Sequence, residues 1–95
     1  MQVRVKFAGP FRTLAGRAEE YVSLPTGAGL CDLLHALAAI LPAEFGREVI
    51  TPLQTASAPT TLLLVNTVNV PGPADLALPL SDGDVVAFVP PMSGG

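Results

Sequence analysis

Few groups in this chain have chemical potential, and they lie apart: the carboxylate after Gly94-Gly95, a lone Cys31, a lone His35, and the aspartates of Ser81-Asp82-Gly83-Asp84. Glycine has no side chain and accepts backbone conformations closed to other residues, so a terminal Gly-Gly can thread a channel too narrow for any other pair. An α-carboxylate is ionised at neutral pH. Such an anion is a poor electrophile until something activates it. Cys31 has no partnered base, so it reads as an inert small residue rather than a nucleophile. His35 follows Asp32 by three residues and reads as one half of a solvated pair. Asp82 and Asp84 flank a glycine in a turn, where aspartate accepts backbone hydrogen bonds and glycine supplies positive φ. The further oxygen ligands of a calcium loop are missing from that stretch. The Gly95 carboxyl group is therefore the candidate reactive centre, and Pro90, Pro91, Met92, Ser93 and Gly94 form the arm that would present it.

Composition narrows the classes of function. Hydrophobic residues make up 49% of the 95 and charged residues 14%, which argues against a disordered chain and for one domain with one modest core. No apolar run approaches the roughly 20 residues that span a bilayer. The N-terminal MQVRVKF alternates from the start and has no secretory h-region. These features lead to the expectation of a soluble, cytoplasmic protein. One cysteine forbids an internal disulfide, and no Cys/His cluster offers a metal site. The formal net charge is −3, and Arg4, Lys6, Arg12, Arg17 and Arg47 are scattered, so there is no basic stripe to bind nucleic acid.

Several elements must hold the arm in place. Val3, Val5 and Phe7 alternate with Gln2, Arg4 and Lys6 in the period of a half-buried strand. Gly9-Pro10 ends it, and Phe11 to Gly16 reads as a turn or a single helical turn. A second strand is expected over about Ala18 to Leu24, forming a hairpin with the first. Leu30, Leu33, Leu34, Leu37, Ala38 and Leu41 then recur at helical steps. Gly29 stands at the N-cap position, Asp32 in the first turn, and Pro42 marks the stop. Residues 43–59 are hard to read: AEFGREVI admits a short helical turn, and TPLQTASAP reads as loop. Thr60 to Val65 is apolar enough for a strand buried on both faces. Pro71-Gly72-Pro73 turns the chain, and Ala74 to Leu80 carries a minor strand at most. Val85 to Val89 forms the last strand. Pro90-Pro91 must end its pairing, because proline has no N–H for the ladder.

The order strand, strand, helix, strand, minor strand, strand describes an α+β fold: a β-grasp, or ubiquitin-like, roll with a mixed sheet, one main helix on one face and an extended tail. Residues 1–89 would form the domain and 90–95 a flexible PPMSGG arm.

On VKFAGPFRTLAG at 5–16, LPTGAGLCDLLHALA at 24–38, LLLVN at 62–66 and PLSDGDVVAFVPPMSGG at 79–95, the chain resembles the MoaD family. These are the small sulfur-carrier subunits of molybdopterin synthase, within the wider group of ubiquitin-like sulfur carriers that includes the thiamine-pathway branch. It departs from the family in having Thr67 after Asn66, where a Val-Asn-Gly turn is common, and Met92 where a smaller aliphatic residue is usual. The resemblance implies a protein that is not an enzyme alone. An E1-like (MoeB-like) adenylyltransferase would use ATP to activate Gly95, and a sulfur donor would convert it to a thiocarboxylate. The arm would then enter the large (MoaE-like) synthase subunit and pass sulfur to cyclic pyranopterin monophosphate. No cofactor would be bound to the chain, and neither membrane nor nucleic acid would be a partner. Gly94 would give clearance, Ser93 could hydrogen-bond the channel wall, and the prolines would reduce the entropy lost when the arm is fixed. Phe7, Phe88 and Val89 are candidates for the partner surface by position, and Arg12 matches the family's turn arginine. A ubiquitin-like modifier, a carrier for tRNA or thiamine thiolation, and a β-grasp binding module with an incidental Gly-Gly remain alternatives.

Overall fold

The structure, a computed structural model, describes residues 1–55, 62–69 and 77–90. Strand β1 (Gln2–Phe7) leads through the short helix α1 (Pro10–Ala15) to β2 (Glu19–Ser23), and helix α2 (Leu30–Ile40) follows. Next come α3 (Ala43–Phe45), a π-helical stretch (Gly46–Ile50) and α4 (Thr51–Thr55), in unbroken succession. Strands β3 (Leu62–Val65), β4 (Val68–Asn69) and β5 (Val85–Val89) complete the chain. The sheet order is β2-β1-β5-β3-β4. β5 runs parallel to β1 and antiparallel to β3, while β1–β2 and β3–β4 are antiparallel hairpins. This is the mixed β-grasp sheet that the order of elements required, with the last strand in the middle.

Alternation decides what each strand buries. Val3, Val5 and Phe7 of β1, Val22 of β2, Leu63 of β3, and Val86 and Phe88 of β5 all face the helices. Against them α2 sets Leu30, Leu33, Leu34 and Leu37, all fully buried. The Asp32 carboxylate accepts the Gly29 N–H at 2.9 Å, satisfying one of the orphan donors at the helix start. At the other end the extended Leu41 caps α2 immediately before Pro42. Gly29 lies so close to the segment 77–80 that a β-carbon there would stand 2.8 Å from the Leu78 carbonyl oxygen. Leu30 and Leu80 complete this contact, with N–H groups donating to the Leu78 and Ala28 carbonyls at 3.2 and 2.8 Å.

Two expectations change. Residues 51–55, read as loop, are helical, because the chain is already held just before them. Phe45, Val49 and Ile50 are buried in the core, and the Thr51 N–H reaches back five residues to the Gly46 carbonyl. Pro52 lacks an N–H and sits in the first turn after this wide stretch, where its missing donor is tolerated. The second change concerns β3, which is not buried on both faces. Leu63 is buried, but Leu64 is only half-buried, because all the helices pack on one face of the sheet. The remainder of the TPLQTASAP stretch, the start of the Thr60 strand, the Pro71-Gly72-Pro73 turn and Ala74 lie outside the described residues.

The aspartate turn has a structural role. Gln2 N–H donates to Asp82 Oδ1 at 2.7 Å and Gly83 N–H to the Gln2 carbonyl at 2.8 Å. Asp84 accepts from the Ser81 N–H at 2.8 Å and from Asn66 Nδ2 at 3.0 Å. Asn66 Oδ1 in turn accepts the Val85 N–H at 2.9 Å. These bonds tie the start of β5 to β1 and to the β3–β4 hairpin.

Candidate functional site

The chain leading into the last residues, as far as Pro90, is held by β1, β5 and the turn between β1 and α1. β5 pairs with β1 as far as Phe7 opposite Phe88, and the Ala8 N–H extends the ladder to the Phe88 carbonyl at 3.0 Å. Strand pairing then stops at Val89, as Pro90 requires. Gly9 has φ 58 and ψ −132, and the Phe11 N–H closes back on the Ala8 carbonyl at 3.2 Å. Together these describe a type II′ turn with glycine at its first central position. Pro90 rests against this turn: a β-carbon on Gly9 would lie 3.1 Å from Pro90 Cγ. Gly9 is therefore required twice, by its φ and by the proline ring above it. Pro91, Met92, Ser93, Gly94 and Gly95 lie outside the described residues.

Beneath this end of β5, three rings lock the strand to the core. Phe45 meets Phe7 and Phe88 edge-on, with centroids 5.3 Å away in both cases, and Phe7 stacks on Phe88 at 5.7 Å. Phe7 and Phe88 are thus 3% and 0% exposed. This corrects their assignment to the partner surface: both share the parity of Val3, Val5 and Val86, and that parity points at the helices. Val89 has the opposite parity and stays half-buried on the open face. Arg12 is exposed on α1 and forms no ion pair among the described residues. An open groove of about 390 Å³, lined by Pro10, Phe11, Leu14, Glu44, Glu48 and Val49, runs between α1 and the 43–55 segment.

The open face has two halves. Val85, Ala87 and Val89 of β5, with Leu64 of β3, form a half-buried apolar strip. Arg4, Lys6, Glu19 and Tyr21 make the polar half on β1 and β2. In register, one row reads Glu19, Lys6, Ala87, Leu64 and the next Tyr21, Arg4, Val85. Arg4 Nη2 donates to Glu19 Oε2 at 2.8 Å. That hydrogen bond, and then the attraction of the Glu19 charge, raise the Arg4 pKa above its ordinary value. Sequence reading places Lys6 on the wet side of β1 but misses Val85, Ala87 and Leu64 as surface residues. The signal was present in strand parity, since residues that alternate with a buried set must face the other way.

Cys31 and His35 are exposed on α2, the helix layer opposite the open face. Among the described residues no group of His, Cys, Asp and Glu could hold a metal ion, and no helix is long and apolar enough to cross a membrane. The described residues thus supply a firmly held end of β5 at Pro90 and an apolar strip beside it.

A family comparison covers this same region and continues to the last residue, with the ThiS family matching residues 5–95. The chain belongs to the ThiS family. Among solved structures it is similar to a Pyrococcus furiosus chain named as molybdopterin converting factor subunit 1. That chain is 32% identical, with a TM-score of 0.78, over 97% of this chain and 99% of that one. The small archaeal modifier protein 1 of Methanosarcina acetivorans is 26% identical with a TM-score of 0.72, over 99% and 96% of the two chains. A third similar structure is the complex of subunits 1 and 2 of molybdopterin-converting factor from Helicobacter pylori, at 22% identity and a TM-score of 0.63 over the whole of both chains. No curated protein matches significantly. The ThiS-family assignment and the ubiquitin-like β-grasp fold agree with the resemblance seen in the sequence motifs.

Proposed function

We propose that this ThiS-family protein is the sulfur carrier for molybdopterin synthesis, with the Gly95 carboxyl carbon as the point of loading. The family match that runs through Gly95 carries this reading, and the 32% identity to a chain named as a molybdopterin converting factor subunit supports its finer part. In the first step a Gly95 carboxylate oxygen attacks the α-phosphorus of ATP in an E1-like enzyme, and pyrophosphate leaves. The resulting mixed anhydride is an electrophile, unlike the carboxylate. Hydrosulfide from a sulfur donor then attacks the acyl carbon, the C–S bond forms as the C–O bond to AMP breaks, and loss of the S–H proton leaves a thiocarboxylate. The sulfur finally bonds to cyclic pyranopterin monophosphate within the large synthase subunit, and water cleaves the acyl–sulfur bond, which returns Gly95 to a carboxylate.

This chain needs no acid or base of its own for that cycle. Its contribution is presentation. Gly94 and Gly95 carry no bulk into a narrow site, Ser93 and Met92 meet the channel wall, and Pro90 and Pro91 limit the freedom the arm must lose on insertion. Val89, Ala87, Val85 and Leu64 offer the apolar contact beside it. The complex of subunits 1 and 2 in the Helicobacter pylori structure favours a large-subunit partner of the same kind.

The test is to incubate purified protein with its cognate E1-like enzyme, ATP and a sulfide source, and to follow intact mass. The expected product gains the mass of sulfur over oxygen and vanishes when Gly95 is deleted; a product that survives the deletion refutes the assignment. Adding the large subunit and the pterin precursor should then yield molybdopterin. The similarity to an archaeal modifier protein favours a second reading, in which the activated Gly95 is joined to lysine amines of other proteins. Isopeptide conjugates in place of molybdopterin would select it.

A further inference from the structure

Lys6 is the single lysine of the chain, and it stands exposed on β1 in the row Glu19, Lys6, Ala87, Leu64. Glu19 is its direct cross-strand neighbour and the obvious counter-charge. Glu19 is instead held diagonally by Arg4 at 2.8 Å, and Glu20, the next carboxylate along, is held by Arg17. Among the described residues Lys6 is left without an ion-pair partner. It also occupies a sensitive position. Its neighbour Ala87 lies three residues before Pro90, where the arm begins, and adjacent strands are only about 4.8 Å apart. A protein that seats on the apolar strip as it takes in the tail therefore lies over Lys6 as well. Covering a lone ammonium strips its water, which is strongly unfavourable unless a counter-charge is supplied.

We infer that the adenylating enzyme of the proposed function, on which this inference rests, presents an apolar patch with a carboxylate set to pair with Lys6. The patch answers Val85, Ala87, Val89 and Leu64, and the carboxylate answers the cation on this face that is left uncompensated among the described residues. Arg4 cannot take that role without releasing Glu19. Lys6 thus fixes the register in which the enzyme grips the sheet, and it gives an ionic-strength dependence to the encounter of a chain whose overall charge is −3.

Binding of the full-length chain to its cognate adenylating enzyme tests this, measured by isothermal titration calorimetry at low and high salt for wild type, Lys6→Met and Lys6→Arg. Circular dichroism confirms that the exposed substitutions leave the fold intact. Lys6→Met is expected to weaken binding roughly tenfold or more and to flatten the salt dependence, while Lys6→Arg stays within about threefold of wild type. A methionine variant that binds as tightly as wild type, or more tightly, overturns the inference, because an unpaired lysine under the interface gains from replacement by an apolar stem. An arginine variant as weak as the methionine variant overturns the role of the charge. Wild-type protein that is thiocarboxylated normally while Lys6→Met binds equally well removes the lysine inference alone. Wild-type protein that is neither bound nor loaded removes the carrier reading, and the lysine inference with it.

Discussion

Replacing Gly9 by alanine should damage the root of the arm by two separable routes. The first is backbone strain, since φ 58 with ψ −132 is a conformation that an L-residue holds only at about 1–3 kcal/mol. The second is collision, with the new β-carbon 3.1 Å from Pro90 Cγ. That contact is a few tenths of an ångström too tight, and shifting a half-buried ring adds about 0.5–1 kcal/mol. Gly9→Ala should therefore lose about 2–3 kcal/mol in urea denaturation, with an unchanged dependence on denaturant. Pro90→Ala alone should lose about 0.5–1 kcal/mol, mainly by freeing the unfolded chain. In the double variant the collision has no target, so the losses should fall short of additive by roughly 0.5–1 kcal/mol. A Gly9→Ala loss below about 0.5 kcal/mol would show that the strain is absent. Strict additivity would show that Gly9 and Pro90 do not touch.

Two further perturbations read other parts of the fold. Asn66 and Thr67 both have positive φ, at 51 and 71, and close the two-residue β3–β4 hairpin; threonine is β-branched and poorly suited to that region. Thr67→Gly should therefore stabilise the protein by about 0.5–1 kcal/mol, the relief of strain outweighing the added freedom of the unfolded chain. In a thermal melt that is a rise of several degrees, and an unchanged or lower midpoint would contradict the positive φ. Phe45→Ala removes the ring that meets both Phe7 and Phe88 and should destabilise by about 3–5 kcal/mol. Amide exchange should speed up most across residues 43–55, and uniform acceleration instead would show that the segment is not a separately latched unit.

How much of this was legible in the sequence depended on whether a residue's neighbours in the chain were also its neighbours in space. The α2 stripe and the β1 alternation are local patterns, and both elements are observed close to their expected bounds. The order of elements describes a β-grasp roll, in which the last strand can pair beside β1 at the sheet centre, as β5 does. The 43–55 segment was opaque because Phe45, Val49 and Ile50 are spaced for a wide helical turn, which no regular period describes. Phe7, Phe88 and Val89 are candidates for the partner surface by position alone, and parity decides among them: Phe7 falls in step with Val3 and Val5, and Phe88 and Val89 point to opposite faces, which leaves Val89 outward. The diagonal Arg4–Glu19 pair, which isolates Lys6, could not be read at all. It depends on the β1–β2 register and on the choice between two cations equally able to reach one carboxylate.

The position of β5 also sets how the molecule bears load. A partner that draws the C-terminus into a deep site pulls along the axis of this strand. β5 is bonded to β1 on one side and to β3 on the other, and ladder hydrogen bonds lie largely across the strand direction. Traction on the tail therefore acts on both ladders in shear and strains many bonds together. An edge strand pulled at one end would unzip one bond at a time. The C-terminal residues are thus tethered where the domain best resists traction.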